Sequence, residues 1–283
     1  MPTAQWWIGE VEASRVYLGA DLIKKKVSAN DILTPSTCLF AKFHYHEQAT
    51  MDGRANALYS DGQYVVVNKP AGMLVQGDIT EDKPMSEFVK QYIADRYNKP
   101  GAVFLGTIHR LDRPVSGVVI YARTSKALAR MNALFQKREI QKTYWAITEE
   151  RPDPLSGHLV HYIDKDRTRN VAHASVRPRN KDAKKSELDY ELIAEVGNHH
   201  LLKVNPLTGR PHQIRVQLAR LGCSIRGDVK YGAPTPNKDG SIHLHCRSMS
   251  FVHPVRNEPV TITANPVNKD EVWQMFANQW RDR

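Results

Sequence analysis

Strand-like and helix-like segments follow one another here without a regular order, and that irregularity most narrows the folds open to the chain. YVVVNK is a β-branched run centred on Val65 to Val67, and VVIYAR (118–123) and KTYWAIT (142–148) are further runs of strand length. SELDYELIAEV and HHLLKVNP predict a hairpin turning near Gly197. Between these lie stretches of helical periodicity. PMSEFVKQYIADRY (84–97) spaces Phe88, Val89, Tyr92 and Ile93 on one side, with Pro84 suited to a first turn. TSKALARMNALFQKRE predicts a helix capped by Thr124 or Ser125, with Leu128, Met131, Leu134 and Phe135 on its apolar face. GRPHQIRVQLARLG predicts a third, opened by Pro211 and closed by Gly222. A doubly wound parallel sheet needs strands and helices in strict alternation; this order predicts α+β instead.

The first 57 residues have another texture: Trp6, Trp7 and Ile8, a lysine run at 24–26, then a polar stretch from Gln48 to Asn56 that reads as a linker. A division into an accessory segment (1–57) and a main domain (58–283) is therefore expected. Three widely spaced cysteines, Cys38, Cys223 and Cys246, fit reduced thiols better than a disulfide framework. With no secretion-signal pattern and no long apolar span, a soluble, cytoplasmic protein is expected, with no membrane partner. His44 and His46, and separately His243, His245 and Cys246 in HLHC, lack a second ligand pair at metal spacing, so no metal site is expected.

Lys and Arg total 40 against 30 Asp and Glu, a net charge of +10 that draws phosphate-rich partners; nucleic acid comes first, with an anionic membrane or plain solubility as alternatives. Eight of these cations, Lys165, Arg167, Arg169, Arg177, Arg179, Lys181, Lys184 and Lys185, crowd one stretch. It reads either as a mobile solvated loop or as an arm that follows a phosphate backbone.

HRLDRPVSG (109–117) sets one carboxylate, Asp112, between Arg110 and Arg113, close to Pro114 and Gly117. Taken alone it reads as a solvated turn. In NPLTGRPHQIRVQLARLGC (205–223), His212 and Arg215 are three apart and share a face near the helix start, beside the stripe Ile214, Leu218 and Leu221. An arginine there has its stem packed and its guanidinium placed by the fold, which suits it to a fixed carboxylate; a surface arginine is the alternative.

VNKPAGMLV, HRLDRPVSGVVIYARTSKAL, QKTYWAI, LTGRPHQIRVQLARLGCSIRGDVKYG and LHCRSMSFVHP together resemble, in order and spacing, the RluA-type family of pseudouridine synthases. The resemblance covers residues 60–265 and leaves out the N-terminal segment, which is unlike the S4 RNA-binding domain. It implies a mixed, largely antiparallel sheet with flanking helices around a central active-site cleft, and makes 58–283 the catalytic domain. The implied activity is isomerisation of a uridine in structured RNA, ribosomal or transfer: the base is detached at N1 and rejoined through C5. By match to the family motifs, Asp112 is the catalytic carboxylate, either as a nucleophile at C1′ or as a base in a glycal route. Burial disfavours a carboxylate's charged form and a guanidinium favours it, and Arg215 is the matching arginine. Tyr144 matches the aromatic that stacks on the flipped uracil and helps take the C5 proton. Arg110 matches the residue that fills the gap left in the RNA; Arg113, Arg210, His212, Lys181, Lys184 and Lys185 complete the expected RNA contacts. Val115 stands where the family usually has Thr, so a hydroxyl that could brace the catalytic turn is missing. No cofactor is required, and a monomer is favoured. Two other readings remain at this point: a non-catalytic RNA-binding or ribosome-associated factor keeping the fold, and an N-glycoside hydrolase or nuclease that admits water.

Overall fold

A computed structural model of the chain describes residues 50–51, 55–266 and 270–280. Trp6, Trp7, the lysines at 24–26, Cys38, His44 and His46 lie outside the described residues, and with them most of the accessory segment.

The strands in chain order are β1 (Thr50–Met51), β2 (Ala55–Ser60), β3 (Tyr64–Lys69), β4 (Gly106–Thr107), β5 (Ser116–Ala122), β6 (Gln141–Thr148), β7 (Ser156–Asp166), β8 (Val171–Ser175), β9 (Lys184–Val196), β10 (His199–Pro206), β11 (Leu244–Val252) and β12 (Pro259–Thr263). The helices are α1 (Met85–Arg96), α2 (Ser125–Lys137), α3 (Gln213–Arg220) and α4 (Glu271–Met275), with a 3₁₀ turn at Val229–Tyr231. The strands form one sheet in the order β1-β2-β3-β5-β11-β6-β10-β9-β7-β8, with β12 on β11 and β4 on β5. Among the described residues every pairing is antiparallel except β5 with β11. This is the α+β class read from the sequence.

One row of the ladder crosses the centre: Lys69 of β3 opposes Gly117 of β5, Gly117 opposes Cys246 of β11, and Cys246 opposes Tyr144 of β6. Residues paired this way project to one face of the sheet. At Gly117 the backbone has φ +119°, and a Cβ would lie 2.3 Å from the Cys246 carbonyl oxygen. Only glycine lets β5 approach β11 so closely, just where the HRLD turn enters the sheet. Alternation along β6 then sends Tyr144 and Ala146 to the main core and Trp145 and Ile147 to the other face, where they meet Val272, Trp273 and Phe276 of the C-terminal α4 region.

Thr124 caps α2 as its sequence implied, its Oγ1 accepting from the Ala127 N–H at 3.1 Å. Three expectations need correction. The supposed linker carries β1 and the start of β2, so a boundary at residue 57 falls inside a strand. Pro211 does not open α3, because His212 takes the left-handed conformation (φ 53°) and delays the helix to Gln213; moreover Gln213 to Leu218, polar and apolar alike, are all buried. The basic stretch is not a plain loop either: it contains β8, hydrogen-bonded to β7, and Lys184 and Lys185 begin β9.

Candidate active site

The HRLD turn is pinned from several sides. Leu111 and Val115 are buried in the core, and the Val115 N–H donates to the Asp112 carbonyl at 3.0 Å. Backbone thus closes the turn. His109 Nε2 accepts from the Ile120 N–H at 3.0 Å, while its ring stacks on Phe135 at 5.4 Å; burial, reinforced by Lys142, lowers its pKa to about 3. The fully buried Lys69 donates to the carbonyls of Pro70 (3.0 Å), Met73 (2.8 Å) and Arg113 (3.3 Å), which uses all three ammonium hydrogens. Burial lowers its pKa to about 7, against the pull of Asp112. With backbone held on both sides, Asp112 projects a carboxylate that is 32% exposed.

Arg215, buried on the first turn of α3, meets it. Nη1 donates to Asp112 Oδ2 at 2.9 Å, while Nε and Nη2 grip Asp228 at 2.7 and 2.8 Å. The guanidinium also lies over the Tyr231 ring, 5.0 Å from its centroid. Burial works against its charge, but the bonds to Asp228 and Asp112 outweigh that and raise its pKa. An arginine held by a bidentate carboxylate has little freedom left, so its remaining donor is aimed by the fold. His212 Nε2 stands 3.9 Å from Asp112 Oδ2, and its Nδ1 is 2.5 Å from the Tyr231 hydroxyl. Burial, opposed by Asp112, takes its pKa down to about 4.

Tyr144 of β6 is half-buried, and the charge of Asp112 reaches it. Burial, then Cys246 and Asp112, raise its pKa well above 10, so the phenol stays neutral. Burial likewise pushes the Cys246 thiol up to about 12.

The structure therefore gathers Asp112, Arg215 and His212, with Tyr144 in electrostatic reach of Asp112. The other expected contacts lie differently. Arg110 is exposed. Arg113 turns away from the carboxylate, its Nε on the Gly72 carbonyl (3.0 Å) and its Nη2 on Asp82 (2.7 Å). Arg210 Nε donates to the Lys185 carbonyl at 3.3 Å; Lys181 and Lys184 are exposed, and Lys185 pairs with Glu187 at 2.8 Å. Both ring nitrogens of His243 (Asn237, Asp270) and of His245 (Ser116, Ala264) are engaged within the protein. Asp228, Tyr231 and Lys69 were not singled out from the sequence. GDVKYG and VNKP lie within the recognised motifs, but nothing local tells that the first holds an arginine thirteen residues upstream or that the second buries its lysine.

Residues 63–220 match the family model described as RNA pseudouridylate synthase, and the chain belongs to that family. It is accordingly an isomerase of uridine in RNA. Among curated proteins it is 35% identical over 248 residues to tRNA pseudouridine synthase C of Haemophilus influenzae (79% of this chain, 96% of that protein). To tRNA pseudouridine synthase C of Vibrio cholerae it is 32% identical over 244 residues (79% and 94%). Among solved structures, human RNA pseudouridylate synthase domain containing 4 superimposes with a TM-score of 0.64 at 24% identity, covering 77% of this chain and 91% of that one, a likeness of fold.

Proposed function

We propose that this chain converts a uridine of transfer RNA to pseudouridine, with Asp112 as the carboxylate that acts at the ribose while the uracil is detached at N1 and rejoined at C5. Transfer RNA is favoured over ribosomal RNA because the similar curated enzymes are named for it. One observation carries the assignment of Asp112: its carboxylate meets a buried arginine that a second carboxylate, Asp228, already holds in place. A charge so placed can stabilise or capture an electron-poor C1′ without reorganising. Arg215 is the positioning cation. Tyr144, kept neutral by burial, is a poor base, and we assign it to stacking on the extruded uracil. We place the catalytic unit in the sheet that begins at β1, with residues 58–283 as its bulk and the preceding segment as accessory.

The test is complementation of a strain lacking this gene, with pseudouridines mapped in its tRNA. The wild-type chain restores a missing pseudouridine; Asp112→Asn does not, yet binds the same tRNA within about tenfold of wild type. Normal modification by Asp112→Asn removes this carboxylate from the reaction. Free uracil or cleaved strands would point to hydrolysis instead.

A further inference from the structure

His212 is built with more care than a general RNA contact requires. It is a non-glycine residue at φ 53°, ψ 21°, immediately before a buried helix, and such conformations persist where the surroundings over-determine them. What holds it is Tyr231. The Tyr231 hydroxyl accepts from the Ala172 N–H of β8 at 2.8 Å, and its own hydrogen then has His212 Nδ1 as acceptor at 2.5 Å. An imidazole that accepts at Nδ1 carries its hydrogen on Nε2. That Nε2–H lies 3.9 Å from Asp112 Oδ2, too long for a direct hydrogen bond but close enough that one oxygen set to the side of the line joining them reaches both at about 2.9 Å. Burial disfavours a proton on this ring; Asp112 pulls the other way, but Arg215, Lys165 and Lys230 side with burial and the ring stays neutral, a pure donor at Nε2.

The bridging oxygen must accept from the imidazole and donate to the carboxylate. A hydroxyl does both; a carbonyl, a ring ether oxygen or a phosphate oxygen cannot donate. If Asp112 acts at C1′, the hydroxyl within reach is on the neighbouring carbon, C2′. We propose that His212, set by Tyr231, and Asp112 together clasp the 2′-hydroxyl of the target nucleotide, and that this pair makes the site selective for ribose over deoxyribose. The inference rests on the assignment of Asp112 given above. Tyr231 is a positioning residue here, acting through His212.

The probe is a tRNA fragment containing the uridine located by the mapping experiment, synthesised with either uridine or 2′-deoxyuridine at that position. Conversion of the first gives kcat and KM; the second is titrated as an inhibitor. Asparagine tolerates φ above zero but is too short to reach the gap, so His212→Asn tests the contact without demanding a new backbone. Both His212→Asn and Tyr231→Phe are expected to raise KM for the uridine fragment about five- to tenfold, the weight of one lost hydrogen bond. The inhibition constant of the deoxyuridine fragment should stay within about twofold of wild type, since that fragment has no hydroxyl to lose. A parallel rise in both constants, or no change in either, overturns the proposal. A wild-type chain that makes no pseudouridine refutes the underlying assignment instead, and this inference falls with it.

Discussion

At the residue scale, the position of Asp112 depends on a buried carboxylate on the far side of Arg215. Asp228 is 1% exposed and takes two of the hydrogen bonds of Arg215, which is itself 6% exposed, so the pair is a buried ion pair with a third member, Asp112, at the solvent edge. Removing one member of a buried pair leaves the other charge uncompensated, which typically costs about 3 to 5 kcal/mol. Asp228→Asn keeps the shape and one acceptor but removes the charge. It should lower folding stability by roughly 3 kcal/mol, read from the urea midpoint. It should also slow pseudouridine formation by on the order of 100-fold, because a guanidinium no longer gripped at two points does not hold Asp112 in register. Wild-type rate and stability together in this variant would mean that Arg215 is aimed by something else. Of the resulting triad, Asp112 and Arg215 were legible from their motifs. Asp228 was not, since a carboxylate in a loop after a helix carries no mark of the helix residue it will meet.

At the scale of elements, the stretch from 165 to 185 shows what composition conceals. Its cations left a solvated loop and a phosphate-following arm equally open, but Ile163 and Ala172 are buried between more exposed neighbours, as in strands, and β7 and β8 pair from Tyr162–Ser175 to Asp166–Val171. Ile163 and Ala172 are buried with Val216 of α3 and Tyr231, which ties this hairpin to the helix bearing Arg215. Likewise α3 resembled an amphipathic surface helix because its hydrophobic stripe is incomplete. Gln213, Arg215 and Gln217 are polar yet buried; Gln213 accepts from Thr208 and the Arg210 backbone, and Gln217 donates to Leu159 and Ser186 carbonyls. Period alone cannot distinguish a buried amide that bonds inside the protein from a solvated one. The strands and the capped α2 were readable because local pattern and packing agree there. A cationic hairpin packed on the helix that bears Arg215 holds its charges in a fixed place, an arrangement suited to a phosphate backbone. Replacing Lys181, Lys184 and Lys185 together by Ala should therefore weaken tRNA binding and reduce the slope of log affinity against log salt by about 2 to 3. An unchanged slope would show that these three lysines do not meet phosphate.

At the scale of the whole molecule, buried titratable groups join distant parts of the sheet and set where the fold is most stable. His109 accepts from β5, His212 from Tyr231, and His245 lies between Ser116 of β5 and the Ala264 carbonyl beyond β12. Burial lowers their pKa values from 6.5 to about 3, about 4 and about 3. Below pH 6.5 the unfolded chain therefore binds protons that the folded chain refuses, and stability is lost as pH falls. The loss is at most about 1.4 kcal/mol per pH unit for each histidine. Lys69 acts in the same direction at higher pH: with a folded value of about 7 against 10.5 unfolded, its unfavourable contribution lessens as pH rises from 7 to 10.5. The thiols oppose it. Burial raises Cys223 from 9.0 to about 11 and Cys246 from 9.0 to about 12, so above pH 9 the unfolded chain releases protons that the folded chain retains, and stability declines again. The two trends cross in mildly alkaline solution. Melting temperature should thus peak between about pH 8 and pH 9 and fall steeply from pH 6 to pH 4.5; a maximum at or below pH 6 would show that these histidines are not held neutral in the folded protein.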